Sequence, residues 1–378
     1  MMRAAGLIFS NIHDASIPEL TARRTMASIP FGGRYRLIDF ALSNMVNSGI
    51  TKVGVITHDN YQSLLDHIGN GKDWDLARRN GGIKILPPFI TAYDNATAGK
   101  VYSTRLEALM GVMSFINRCT EEVLVLSDCD VICNVDLGLA IAQHQKNDAD
   151  ITLITATVDT AEQELDRQAQ VPQYDEEGRL TDIGVYDGQT GKVEVCADIL
   201  IVRRSYLQRV VTEAISRGQT SFYRDIVYRN MGHDRFFVVR YDGFFARVNS
   251  IESYFRCSMR LLDRKSRVNL FYRRNQPIFT KVRNSAPTRY LPDAKVKNSL
   301  IADGCVIEGT VENSILFRGV HVGKGTVIRN SILMQDTYTG ENVTLGCVIA
   351  DKDVVIKDDR TLCGHETLPF YIGKGMTV

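Results

Sequence analysis

Basic residues crowd the start of this sequence around a pair of glycines. Arg23 and Arg24 come first, then Arg34 and Arg36 in Phe31-Gly32-Gly33-Arg34-Tyr35-Arg36. A guanidinium presents a planar fork of donors that matches phosphate oxygens. A glycine turn carrying such forks is a frame for gripping an anionic ligand. A second grouping is Asp128-Cys129-Asp130, carboxylates that follow the apolar run Glu122–Ser127 and can hold a cation. Other candidates read as structural: His58, His67 and His144 have no partner at ligand spacing, and Trp74 reads as packing.

The elements that must position these groups are legible from periodicity. After the glycine turn, Phe40, Leu42, Met45 and Val46 recur at helical spacing, as a helix packed on one face requires. Gly49 stands where a helix C-terminus favours a left-handed residue. Thr51–Thr57 follows as a β-branched strand. Up to Asp263 the chain alternates strand-like and helix-like segments, the pattern of an α/β domain with a mostly parallel sheet. Its expected strands are 4–9, 82–88 (a strand meeting a turn), 122–127, 151–156 and 197–202; its expected helices include 61–68, 103–116 and 250–263. Asp128, Cys129 and Asp130 then fall at the carboxyl end of a buried strand, the edge at which open α/β sheets bind ligands. Residues 264–292, rich in arginine, asparagine and proline and without period, read as a linker.

From residue 293 to 378 the character changes. Asn298-Ser299-Leu300-Ile301, Asn313-Ser314-Ile315-Leu316 and Asn330-Ser331-Ile332-Leu333 are near copies, 15 and 17 residues apart. Apolar residues return every sixth position: Ile301 and Ile307, Val322 and Ile328, then Val343, Ile349 and Val355. A six-residue return with three strands per coil predicts a β-helix solenoid. Tyr35, between two arginines, is expected to pack where the two domains meet.

Composition narrows the function classes. Forty-five basic and 44 acidic residues leave a net charge of +1, which points to neither nucleic acid nor anionic membrane. Eight cysteines are scattered without a CxxC pair, so they read as reduced, mostly buried thiols in a cytoplasmic protein. The apolar run near the N-terminus is too short for a signal-peptide core, and no later stretch is long enough to span a bilayer.

The order of residues 31–50, FGGRYRLIDFALSNMVNSGI, resembles F-G-G-[KR]-[FY]-R-[IL]-I-D-F-x-L-S-N-x-x-N-S-G-I of the bacterial and plant glucose-1-phosphate adenylyltransferases. Pro287–Lys295 resembles that family's linker P-x-x-x-L-P-x-A-K, and the likeness runs along nearly the whole chain. It implies a Rossmann-like nucleotidyltransferase domain followed by a left-handed parallel β-helix of hexapeptide repeats. The chemistry it implies, adenylyl transfer to glucose 1-phosphate, needs a glycine cradle for triphosphate, carboxylates for Mg²⁺ and basic residues for phosphates.

Most departures from the family pattern fall on that chemistry. The cradle L-A-G-G-x-G-x-R-L matches Phe9 to Ile17, where no glycine remains, its arginine is Ser16, and Asp14 adds negative charge. The lysine that would meet pyrophosphate matches Met26. The metal aspartate of G-D-H falls on Cys129 or Asp130, depending on where one gap is placed; Asp130 retains a cation-binding group. The second metal aspartate, in W-R-D-V-G-T, matches Arg247. A positive charge ~4 Å from Mg²⁺ is repelled by roughly 8 kcal/mol at an effective dielectric of ~20. Arg247 is therefore expected to take the cation's place and pair with Asp130. The nucleotide-pocket motif W-Y-x-G-T-A-D-A reads Val101 to Ala108 with Arg105 inside it, and F-V-E-K-P has no counterpart in Leu180–Gly188.

What survives is the basic cluster. By resemblance, Arg23, Arg24, Arg34 and Arg36 form a phosphate or sugar-phosphate effector site where the catalytic domain meets the β-helix, with Arg318 and His321 closing it. The losses resemble a divergent branch of the family, the GlgD-type subunits, which keep fold and interfaces but lose catalytic residues. The resemblance implies a non-catalytic, regulatory pseudoenzyme subunit in glycogen biosynthesis, allosteric in action. It would assemble with a catalytic subunit as a heterotetramer, with no cofactor of its own because the active partner binds Mg²⁺. The alternative is an enzyme that makes ADP-glucose weakly through Asp130. A hexapeptide acyltransferase would need a catalytic histidine on the coils, where only His321 and His365 are available.

Overall fold

The computed structural model describes residues 3–88 and 102–378. A seven-stranded sheet forms the first domain: β1 (Ala4–Phe9), β2 (Lys52–Ile56), β3 (Gly82–Leu86), β4 (Val123–Asp128), β5 (Ile151–Asp159), β6 (Lys192–Arg203) and β7 (Phe236–Tyr241). The order is β7-β5-β6-β4-β1-β2-β3. All neighbours run parallel except β6, which lies antiparallel to both β4 and β5. Each face of the sheet carries its own apolar core, as a doubly covered sheet requires. Among the described residues, no helix is long and apolar enough to cross a membrane.

The helix predicted after the glycine turn is α1 (Leu37–Asn47), buried on every side from Leu37 to Met45. Periodicity suggested one buried face. The structure gives it two partners: Ile38, Ala41, Leu42 and Met45 join the sheet core, while Leu37 and Phe40 join the core shared with the β-helix. Gly49, at φ +77°, ends the helix, and the Ile50 N–H donates to the Met45 carbonyl at 3.0 Å, as a left-handed cap predicts. α2 (Gln62–Ile68) matches its expected span. The single helix expected over 103–116 is instead α3 (Arg105–Gly111) and a separate helix Met113–Arg118, broken at Val112. Thr104 and Glu107 form a reciprocal cap at the start of α3, so Arg105 opens the helix at the sheet edge. Val101, where the nucleotide-pocket alignment begins, lies outside the described residues.

The stretch read as a periodless linker contains a helix. After α4 (Ile251–Met259) comes α5 (Arg264–Phe271), capped by Asp263, whose carboxylate accepts the Ser266 N–H at 2.8 Å. Only Leu270 of α5 is fully buried, which is why no apolar period was visible. Tyr35 stacks on Phe271 at 4.9 Å, so the expected packing at the domain junction is formed by this helix.

The C-terminal domain is a left-handed β-helix: three five-stranded parallel sheets, one per side of each coil. Its first paired strand is Arg289–Tyr290, a few residues before the expected boundary. Ile307, Val322, Ile328 and Val343 point into the prism as predicted, whereas Ile349 is buried outward against the first domain, with Val348 and Ala350 filling the prism instead. Val355 does not point inward either; it is 38% exposed, and Val354 and Ile356 are buried instead. Tyr338 pairs with Val355, 17 residues on, one short of three hexapeptides, so counting in sixes drifts out of register. Ile315, Phe317, Ile332, Met334 and Ile349 share one apolar cluster with Phe31, Phe40, Tyr254 and Leu261 of the first domain.

Candidate functional site

The carboxyl edge of β1 and β4 is where a nucleotidyl site would lie. The loop after β1 contains no residue with positive φ between 10 and 17; it closes as a short turn, Asp14–Ser16, followed by the helix Pro18–Thr21. The Asp14 carboxylate accepts the Met26 N–H at 2.7 Å, so two expected departures from the family pattern are bonded to each other. Burial lifts the Asp14 carboxyl to about 7, with that bond opposing. The Met26 side chain is buried in the junction core, and Cys129 is buried too, its thiol pushed up by burial and by Asp128 and Asp130.

Three carboxylates and three cations interlock at this edge. Asp128 ends β4, Asp130 follows it, and Asp198 projects from β6 at a break in the β6–β5 register, with φ +54°. Such a bulge re-aims a side chain. All three are at least nine-tenths buried. The Arg105 guanidinium reaches Asp128 at 2.6 Å and Asp198 at 2.7 Å. Arg247 reaches Asp198 at 2.6 Å and Asp130 at 3.6 Å. His13 Nε2 lies 2.8 Å from Asp128 and 3.8 Å from Asp130. The Tyr223 hydroxyl donates to Asp198 at 2.8 Å.

The electrostatics follow from that lattice. Burial alone would raise the Asp198 carboxyl, but Arg247 and Arg105 hold it well below the usual carboxylate range. Burial works against the charge of Arg105, yet Asp128 and Asp198 raise its pKa further. Burial is likewise outweighed at His13, which Asp130 and Asp128 raise to about 9, so its imidazole is a cation near neutral pH. Asp130 is the least well held: burial raises its carboxyl against His13 and Arg247, and its Oδ1 has no hydrogen-bond partner.

Magnesium does not fit this arrangement. His13, Asp128 and Asp130 bring three donor atoms within 4.8 Å of one another. But a metal needs neutral imidazole and free carboxylate oxygens, whereas here the imidazole is protonated and both carboxylates already face cations. The expected pairing of Arg247 with Asp130 is present, though its tighter partner is Asp198. Reading the residues one by one missed His13, Arg105, Asp198 and Tyr223. The usable signal was arithmetic: buried aspartates demand as many buried cations, and Arg105 lay inside a motif that carries threonine at that position.

The basic residues near the glycine turn disperse differently from expectation. Arg24 is 3% exposed and forms a two-pronged ion pair with Asp351 of the β-helix at 2.7 and 2.8 Å. The Tyr371 hydroxyl donates to the same carboxylate at 3.0 Å. Arg24 is thus an interdomain clasp rather than a free anion-binding fork, because its carboxylate partner sits buried opposite it. Arg23 is exposed and does not line the cleft beside it. His321 lies apart as well, stacked on Tyr338 at 4.7 Å.

Arg34, Arg36 and Arg318 do converge, on a small cleft between the domains of about 30 Å³ open to a water-sized sphere. Arg283, Lys352 and His67, which sequence reasoning did not assign, join them. Gly33, at φ +84°, lets the turn approach within 3.7 Å of the Leu316 carbonyl for any added Cβ. Arg36 donates to Ser63 Oγ at 3.0 Å, and Arg318 pairs with Asp303 at 3.1 Å. His67 is bonded to Asp39 at 2.6 Å, so it does have a partner, supplied from α1.

Comparison with known proteins agrees with this division. A nucleotidyl transferase family model matches residues 17–165, beginning just past the loop without glycines, and a GlmU-like C-terminal hexapeptide model matches 287–367. The chain is 34% identical over 373 residues to the glycogen biosynthesis protein GlgD of Bacillus subtilis (strain 168), covering 98% of this chain and 96% of that one. It is 32% identical over 337 residues to the glucose-1-phosphate adenylyltransferase of Thermosipho africanus, covering 87% and 78%. For the enzyme of the same name from Geobacillus stearothermophilus the figures are 30% over 334 residues, covering 86% and 83%. With its two-domain fold, its family motifs and these full-length relatives, the chain belongs to the glucose-1-phosphate adenylyltransferase family, in the GlgD-type branch.

Proposed function

We propose that this chain is a non-catalytic regulatory and structural subunit in glycogen biosynthesis. It assembles in the cytoplasm with a catalytic glucose-1-phosphate adenylyltransferase subunit, as a heterotetramer, and changes the rate at which that partner converts ATP and glucose 1-phosphate to ADP-glucose and diphosphate. The observation that carries this reading is the pair Arg105 and Arg247, which hold Asp128, Asp130 and Asp198 where magnesium would need them free. The chain itself takes no cofactor; the partner supplies the metal. The clasp Arg24–Asp351 and the shared apolar cluster at the junction support a structural role. The basic cleft between the domains supports an effector role for a phosphate or sugar phosphate.

The alternative, a weak ADP-glucose synthase working through Asp130, draws on the unpartnered Asp130 Oδ1. Pyrophosphate release separates the two. The chain alone is expected to show no turnover with ATP, glucose 1-phosphate and Mg²⁺, and to raise the turnover of an added catalytic subunit. Sustained turnover by the chain alone overturns the non-catalytic reading, and indifference of every catalytic partner overturns the regulatory one.

A further inference from the structure

Three sides of the interdomain cleft contribute cations. Arg34 and Arg36 come from the turn before α1, Arg283 from the connection between domains, and Arg318 and Lys352 from β-helix coils two apart, with Gln335 on the coil between them. Among the described residues, no carboxylate lines it. The nearby carboxylates are directed elsewhere. Asp351 faces Arg24 and Tyr371, Asp39 faces His67 and the Arg36 N–H, and Asp303 is held by Ser285 and by Arg318, the one cleft cation it pairs with. Arg36 and Arg318 are buried, Lys352 is half-buried, and Arg34 and Arg283 are exposed at the cleft's rim; like charges gathered this closely with one carboxylate partner among them repel. The cavity is sized for one tetrahedral oxyanion and not for a nucleotide.

Lys352 is the member of this set that can relieve the repulsion by losing a proton. Its backbone is fixed, because its N–H donates to Asp351 at 2.7 Å. It is surrounded by Arg24 from the N-terminal loop, Arg36 from the turn, His67 from α2, Arg283 and Arg318 across the cleft, and Lys374 from the last coil, with Asp351 as the opposing charge.

We propose that the cleft is a proton-linked oxyanion site, in which binding of one phosphate-sized dianion draws a proton from solvent onto Lys352. This rests on reading the junction as an effector site and adds how that site is regulated. Burial, Arg36 and Arg24 lower the Lys352 ammonium to about 7 without an anion. A dianion among these groups restores the charged form, so anion affinity and proton affinity rise together. The linkage makes binding strong below pH 7 and progressively weaker above it.

Sulfate is the probe, because it stays dianionic across the range, and calorimetry at fixed ionic strength in two buffers of different ionisation enthalpy counts the protons. Sulfate is expected to bind with uptake approaching one proton above pH 7, and its affinity to fall about tenfold per pH unit there. Lys352→Arg is expected to bind without uptake and without that pH dependence. Lys352→Met is expected to bind at every pH about as weakly as the native chain does at high pH. Sulfate binding by the native chain without proton uptake overturns the linkage while leaving the effector site standing. Uptake that persists in Lys352→Arg assigns the proton to another group, such as His67, and also overturns it. No sulfate binding at any pH overturns the effector site itself. Repeating the titration with inorganic phosphate and with a sugar phosphomonoester at pH 8.5 tells a free ion from an organic ligand by which binds more tightly.

Discussion

At the sheet edge, Arg105, Arg247 and His13 meet Asp128, Asp130 and Asp198, cation for carboxylate, within a few ångströms. At the domain junction, Arg34, Arg36, Arg283 and Lys352 meet none across the cleft, and only Arg318 has an acidic partner. Both regions gather basic residues, and both lie where this family's motifs fall. The difference lies in the balance of charge. Buried ions are tolerated when each is matched, so the sheet edge is complete without a ligand. The junction leaves cations over, some buried and some at the rim, and that surplus of positive charge is what an anionic ligand would complete. Basic residues alone therefore identify neither site; their partners do.

That contrast can be attacked from the strongest expected effect downward. Asp198→Ala removes the carboxylate shared by both arginines and leaves two buried cations short of a partner. It is expected to lower stability by about 3–5 kcal/mol, read as a fall in the urea midpoint with unchanged slope. Asp351→Asn breaks the clasp across the junction and is expected to cost about 3 kcal/mol, with faster proteolysis in 272–288 than in the native chain. If either variant melts like the native chain, the matched pairs are not what holds those regions.

Next is the metal. Arg247→Asp alone leaves Arg105 on Asp128 and Asp198, and is expected to give no saturable Mn²⁺ binding. Combining it with Arg105→Thr frees three carboxylates from the arginines and adds a fourth, and is expected to raise Mn²⁺ affinity at least a hundredfold, about 2.7 kcal/mol, by titration calorimetry. Equal, tight binding by the single variant would mean that Arg105 does not guard the site.

Smaller effects are expected where solvent intervenes. Arg318→Ala is expected to weaken sulfate binding about tenfold, the worth of one charged hydrogen bond, with little change in melting. The His13 imidazole, raised in the folded chain, adds stability that is fully present below about 6.5 and is lost as pH rises through about 9. With 31% of its side chain open to water, about 1 kcal/mol is expected after screening. Comparing native and His13→Gln melting at pH 6 and pH 9.5 measures it: the gap should close at the higher pH.

Much of the molecule was legible in the residue order. The alternation of periods predicted six of the seven strands of the main sheet but not the edge strand Phe236–Tyr241, the Asn-Ser-x-x copies predicted the coils, and Gly49 predicted its helix end. Less was visible where burial replaced period. α1 is apolar toward two partners, α5 shows one buried residue, and the seventeen-residue coils carry Val355 out of the six-residue count. Arg247 on Asp130 was foreseeable from two aligned motifs. Arg24 on Asp351 was not, because its partner is 327 residues away in sequence.

By itself the sequence determined the fold class, the two-domain division and the loss of the glycine cradle. These depend on local period and on which residues tolerate which backbone angles. Only the tertiary structure decided which arginines are neutralised and which remain. Charge compensation is a short-range, through-space quantity: it depends on carboxylates brought within about 4 Å from β4, β6 and a distant coil, and no count along the chain contains that distance.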